Sequence, residues 1–184
     1  MMPGLLDRVR NTRFGVVRRI GSVAVIVSVG TFQLCGLLGI RINTSPSLPV
    51  GLYLVSTDEN ANLAEFCPTE PIAALSLVRG YRSPGVCEDG GAPLLKPIIA
   101  KRGDLVELSA HGIRVNGRLL ANTAPLAKDT KGRPLKSWAF GHFQVAPGTV
   151  WVASSYDSRS FDSRYFGPVS IVAIRNRAKV LLTL

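Results

Sequence analysis

Histidine is scarce in this sequence. The two residues present, His111 and His142, stand alone, and both read as solvent-exposed loop histidines. A Ser-His-Asp triad therefore has little to build on. The three cysteines, Cys35, Cys67 and Cys87, form no Cys-x-x-Cys and no Cys/His spacing, so neither a metal site nor a cofactor is expected. Charge is missing from Ile20 to Ile40, a run of 21 residues. Lys and Arg are missing again between Arg41 and Arg79. Past residue 41 there is no helical periodicity of useful length, no internal repeat and no low-complexity segment.

The uncharged run is long enough to matter. At ~1.5 Å per residue it spans the ~30 Å hydrocarbon core of a bilayer. Arg8, Arg10, Arg13, Arg18 and Arg19 precede it. That asymmetry predicts a cytoplasmic N-terminus (1–19), a transmembrane anchor (20–40) and everything from residue 41 to 184 across the membrane. The run exceeds the ~7–15 residues of a signal-peptide core, which favours a retained anchor over a cleaved signal. Leu34 stands where lipid attachment at Cys35 would want a small residue. Cys67 and Cys87 both fall on the far side, where disulfides persist, so a bridge between them is open to them.

The net charge of +10 overstates the basicity of the exported part. Residues 42–184 hold 16 Lys and Arg against 11 Asp and Glu, a net of +5. The basic residues are scattered and carry no interleaved aromatics, so nucleic acid is not an expected partner. The juxtamembrane arginines suit an anionic inner leaflet, making the lipid bilayer the expected partner there.

The exported part reads as one mainly β, antiparallel domain. Gly51–Val55 is a short apolar strand, and Ile72–Gly80 reads as another. A strand through Leu94–Ile99 reaches a turn at Arg102-Gly103-Asp104, and a further strand begins at Leu105. Asn116-Gly117 sits between alternating arms, the signature of a type I′ hairpin. Residues 122–148 hold Pro125, Pro134 and Pro147 and read as a long loop with one strand near Phe143. Gly148–Ser154 is a buried strand, and residues 169–184 supply the last strand or pair.

Three stretches carry chemistry: Ser45-Pro46-Ser47-Leu48-Pro49-Val50-Gly51, Leu95 to Asp104, and Ser160 to Gly167. A serine hydroxyl needs a base to attack, and a lysine can be that base once its ammonium is destabilised. Burial does this, because desolvation disfavours the charged form. Lys96 fits, between Leu94-Leu95 and Ile98-Ile99. Lys101 fits less well, next to Arg102 at a turn. A lysine that snorkels from an edge strand is the plain structural reading of Lys96, and turn or loop serines are the plain readings of Ser45 and Ser160.

In this order, behind an N-terminal anchor, the three stretches resemble the signal peptidase family of Ser-Lys proteases. Lys96 stands eight positions before Asp104, as that family's catalytic lysine does. Asp162-Ser163-Arg164-Tyr165-Phe166-Gly167 resembles the family's last box almost letter for letter, and Arg114-Val115-Asn116-Gly117 resembles a recurrent hairpin. The single anchor and Ser47-Leu48-Pro49-Val50-Gly51-Leu52-Tyr53 are similar to the conjugal-transfer, TraF-like branch, which matures pilins. Pro97 departs from the family by replacing the arginine that usually follows the lysine. Without an N–H, it is expected on an edge or irregular strand.

The resemblance implies a signal-peptidase-type β domain behind one transmembrane helix, in the bacterial inner membrane with the catalytic domain periplasmic. It implies a serine endopeptidase with Ser47 as nucleophile and Lys96 as general base. Ser45 is implied as an oxyanion donor, Ser160 as the hydroxyl that orients the lysine, and Asp162 and Arg164 as a supporting ion pair. Ser45 as nucleophile is the other assignment, and the offset from Pro49-Val50-Gly51 argues against it. The implied substrate is a pilin precursor peptide, cleaved and, in some relatives, closed into a ring. Other conjugation-channel proteins are implied partners. A general type I signal peptidase and a non-catalytic scaffold of a conjugation or secretion channel are the competing readings.

Overall fold

A computed structural model describes residues 36–184 together with Gly30. The expected cytoplasmic segment and most of the expected anchor lie outside the described residues. Among the described residues no helix is long and apolar enough to cross a membrane. The fold below is that of residues 42–184, whose first strand begins two residues earlier at Ile40.

Eleven strands form two antiparallel sheets among the described residues. In chain order they are β1 (Ile40–Asn43), β2 (Gly51–Ser56), β3 (Leu63–Phe66), β4 (Leu94–Ala100), β5 (Leu105–Ser109), β6 (Gly112–Val115), β7 (Arg118–Leu119), β8 (Gly141–Gln144), β9 (Thr149–Val152), β10 (Val169–Ser170) and β11 (Ile174–Thr183). The larger sheet runs β1-β2-β11-β3-β4-β9-β10 and the smaller β7-β6-β5-β8. Strand β11 joins distant parts of the chain. Its last half pairs with β2, Thr183 opposite Gly51, and its first half with β3, Ala178 opposite Leu63. Register shifts fall at Ile174/Asn176, Val180/Leu182 and Ile98/Ala100. Each bends its strand and adds twist, so the large sheet curls.

The sheets meet over one core. Trp151 of β9 packs with Val106 and Leu108 of β5 and Ile113 of β6, all almost fully buried. Ala64, Phe66, Leu94, Val150 and Val152 fill a second cluster on the large sheet. The hairpin at Asn116-Gly117 forms as expected. Both residues have positive φ, +49° and +82°, and Val115 faces Arg118, the geometry of a type I′ turn. The Cys67–Cys87 disulfide forms. His111 and His142 are exposed, although His142 lies on β8 rather than in a loop.

One expectation needs correction. Ile72–Val78 is a helix, α1, and not a strand. A short apolar run satisfies either period, and Ala73, Ala74, Leu75 and Leu77 are good helix formers. Its buried residues are Ala73 and Ser76, three apart on one face. The buried Arg82 guanidinium holds that face, donating to the Ser76 hydroxyl at 2.7 Å and the Ala73 carbonyl at 2.9 Å. Strand β3 was not expected at all. It is short and carries Glu65 in its interior, where Asn176 donates to the carboxylate at 2.6 Å. Of the two settings expected for Pro97, β4 shows the irregular one: β3 and β9 flank it, so it is no edge, and its register on β9 shifts between Ile98 and Ala100. Pro97 is tolerated because the β9 ladder reaches only Ile98, opposite Val152. Beyond that pair, the Pro97 carbonyl accepts one bond from Ala153 N–H at 3.0 Å.

Candidate active site

The serine pair lies on the turn that leaves β1. Asn43, the last residue of that strand, organises it. Its side-chain amide donates to the carbonyls of Ser45 (3.0 Å), Leu48 (3.1 Å) and Pro49 (3.1 Å). Its Oδ1 accepts from the Ser45 N–H at 3.2 Å and from the Ser45 hydroxyl at 2.9 Å. The Ser45 and Ser47 hydroxyl oxygens lie 3.0 Å apart. Tyr53 of β2 donates its hydroxyl to the Pro49 carbonyl at 2.6 Å. Prolines at 46 and 49 narrow the backbone choices of the turn. Ser47 is buried, and Leu48 enters a small apolar cluster with Tyr53, Leu63 and Ala178.

Lys96 lies inside the large sheet, opposite Ala64. Alternation along β4 sets it on the same face as Leu94 and Ile98, which pack into the second core cluster. It is only 4% exposed, which excludes the snorkelling reading. Burial pushes the amine down from an ordinary 10.5 to about 8. Asp162 and Asp157 oppose that shift and Arg164 adds to it. The Nζ hydrogen-bonds the Ser160 hydroxyl at 2.9 Å. A buried amine with a neighbouring hydroxyl and a pKa near neutrality can both accept and return a proton.

Ser160 is positioned by the segment after it. Asp162 caps the single-turn helix α2 (Ser163–Phe166) by accepting from Arg164 N–H at 3.2 Å. The Arg164 guanidinium grips the same carboxylate at both ends, Nε to Oδ1 at 2.8 Å and a terminal nitrogen to Oδ2 at 2.7 Å. Both side chains are fully buried. Arg164 also donates to the carbonyls of Asn122 and Ser158, each at 2.9 Å, and Ser154 N–H donates to Asp162 at 3.1 Å. The ion pair thus stitches the loop through residues 154–159 that leads into Ser160. Gly167 ends α2 at φ +73°, with the Trp138 ring where a Cβ would stand.

The structure brings the six expected residues together as three contacts: Ser45 with Ser47, Lys96 with Ser160, and Asp162 with Arg164. Among the described residues no hydrogen bond joins Ser47 to Lys96. Their neighbours meet instead, since Leu95 packs on the cluster that contains Leu48. Asn43 is the residue that sequence reasoning missed. Its signal was present, because Asn before Thr-Ser-Pro is a strong former of side-chain-to-backbone turns.

The sequence pattern of the family described as signal peptidase, peptidase S26, matches residues 13–183. This chain belongs to that family. All three chemistry-bearing stretches of this S26 peptidase fall within the match. A plasmid transfer protein TraF of Escherichia coli is 33% identical over 174 residues, 91% of this chain and 98% of that protein. A probable conjugal transfer protein TraF of Sinorhizobium fredii is 35% identical over 163 residues, 86% of this chain and 85% of that protein. A signal peptidase I of Enterococcus faecalis has a solved structure that covers 70% of this S26 peptidase and 99% of its own chain, at 19% identity and a TM-score of 0.36.

Proposed function

We propose that this S26 peptidase is a membrane-anchored endopeptidase that cleaves a pilin precursor during conjugative transfer, with Ser47 as nucleophile and Lys96 as general base. The observation that carries the reading is the buried Lys96 amine, held at about 8 and hydrogen-bonded to Ser160. Its relatives' names, plasmid transfer and conjugal transfer proteins, support the conjugative setting. An anchor that ends before β1, within residues 20–39, holds the chain in the bacterial inner membrane, 1–19 remain cytoplasmic, and the β domain acts on the periplasmic side. Ser47 follows Gly39 by eight residues, so a substrate leaving the bilayer meets the site near the membrane surface.

The reaction proceeds in two steps. Ser47 Oγ bonds to the scissile carbonyl carbon while its proton passes to Lys96 Nζ and the carbonyl π electrons move onto oxygen. Ser45 Oγ–H and the Ser47 N–H stabilise that oxyanion, each donor worth about 3 kcal/mol. Collapse breaks the C–N bond, the lysine ammonium protonates the leaving amine, and an acyl-enzyme remains. Lys96 then activates water, or the substrate's own amine, against the ester. The Ser47–Lys96 hydrogen bond forms in the substrate complex, where catalytic contacts tighten.

The test is intact-mass analysis of a pilin precursor co-expressed with wild type, Ser47→Ala or Lys96→Ala. Wild type should shorten the precursor and both variants leave it whole. A further loss of about 18 Da, one water, identifies ring closure by the substrate amine. Normal processing by both variants would overturn the assignment of the pair.

A further inference from the structure

The contacts of Asn43 fix the direction of both serine hydroxyl protons on the turn. Its Nδ2 faces three carbonyl oxygens, and its Oδ1 faces one N–H and one O–H. Flipping the amide would oppose donors to a donor and an acceptor to three acceptors, so only one orientation satisfies the network. The Ser45 hydroxyl has a single proton, and it goes to Asn43 Oδ1. In the 3.0 Å contact between the two hydroxyls, Ser47 must therefore be the donor and Ser45 the acceptor.

From this, and resting on the Ser47–Lys96 reading above, we propose that Asn43 is a positioning residue that acts through Ser45. At rest it holds the Ser45 proton, and Ser45 in turn holds the Ser47 proton away from Lys96. The resting nucleophile is parked. When a substrate carbonyl enters, Ser45 turns its proton from Asn43 Oδ1 to the developing oxyanion. Asn43 Oδ1 keeps the Ser45 N–H as its remaining partner, so the amide is not left without a donor. Ser45 keeps lone pairs to accept from Ser47 until the Ser47 hydroxyl turns to Lys96 in the substrate complex. The same amide holds the carbonyls of Ser45, Leu48 and Pro49, so the turn does not follow the hydroxyl as it swings.

Aspartate at this position would be nearly isosteric but would set a second oxygen against those three carbonyls. Asn43→Asp is therefore expected to lose at least as much activity as Asn43→Ala. A residue that merely filled space would tolerate the exchange.

The test uses the full chain in detergent with a purified pilin precursor, reading kcat and KM separately. Asn43→Ala should lower kcat roughly tenfold to hundredfold, the range expected for a displaced reacting group, with little change in KM. The Asn43→Ala/Ser45→Ala double variant should be no slower than Ser45→Ala alone, because the two residues act as one unit. The alkaline midpoint near 8 should stay in place, since Lys96 and Ser160 are untouched. Additive losses, or a wild-type kcat in Asn43→Ala, overturn the proposal. Should Asn43→Ala not fold, ¹⁵N-asparagine NMR of the wild type decides. The Asn43 side-chain amide protons should resist solvent exchange and shift on Ser45→Ala, and exchange as fast as that of an exposed asparagine overturns it. If wild type and Ser47→Ala both leave the precursor whole, the underlying peptidase reading fails, which is distinct from an active wild type with an unaffected Asn43→Ala.

Discussion

The hydroxyl turn and the lysine pocket are held over very different distances along the chain. Asn43 reaches its partners on the serine turn within six residues. Lys96 is held by Ser160, 64 residues away, and Ser160 depends on a buried ion pair anchored to the Asn122 carbonyl. The turn is thus a local device, closed by the Asn43 and Tyr53 side chains and two prolines. The pocket exists only once the large sheet has closed and residues 154–164 have docked. A local device tolerates change at the level of single hydrogen bonds, whereas the pocket fails as a unit when one buried charge loses its partner.

Substitutions should separate the two regions. The largest effect is expected from Ser47→Ala, which removes the proposed attacking oxygen and should cut the single-turnover rate by about 10⁴-fold or more. Thermal unfolding should stay close to wild type, because only a hydroxyl is lost. On the pocket side, Asp162→Ala leaves a fully buried guanidinium without its carboxylate and should cost about 3–5 kcal/mol in urea unfolding. A wild-type urea midpoint for that variant would show that the pocket is not held as a unit. Ser45→Ala should lower kcat by roughly 10²-fold or somewhat more with KM unchanged, again without loss of fold.

The smallest effect has an unusual sign. Folding lowers the Lys96 pKa to about 8, so between about 8 and 10.5 the unfolded chain binds more protons than the folded one. Stability therefore rises with pH across that window, and below it the buried ammonium costs the fold its full share. Lys96→Met should abolish cleavage yet raise the unfolding free energy at pH 7, read from urea titration, by at most about 3 kcal/mol. The gain should shrink as pH rises through the window. A Lys96→Met chain less stable than wild type at every pH would mean that the Ser160 contact outweighs the burial of charge.

The same contrast of distances explains what the sequence could tell. The two serines and prolines announced a stiffened turn because that information is local. The hairpin at Asn116-Gly117 was legible for the same reason, through two adjacent residues suited to positive φ. Lys96 read as buried because Leu94-Leu95 and Ile98-Ile99 flank it. Its meeting with Ser160 depends on sheet closure, and only the family resemblance joined the two. Strand β3 escaped notice because the partner of its interior Glu65, Asn176, lies 111 residues away. Helix α1 was misread because seven apolar-rich residues fit both periods, and its decisive partner, Arg82, follows the segment. Pro97 suggested an edge or an irregular strand, and the sequence could not show that β9 stops one residue short of it.

The central claim is that a neutral, buried Lys96 takes the proton of Ser47. Its most direct test is the single-turnover rate of precursor cleavage by the full chain between pH 6 and 10. The account predicts a rate that rises with pH through about 8, as the amine loses its proton, and a Lys96→Ala chain that stays at background throughout. A wild-type rate that is flat over that range, or a Lys96→Ala chain that retains the wild-type profile, would contradict it.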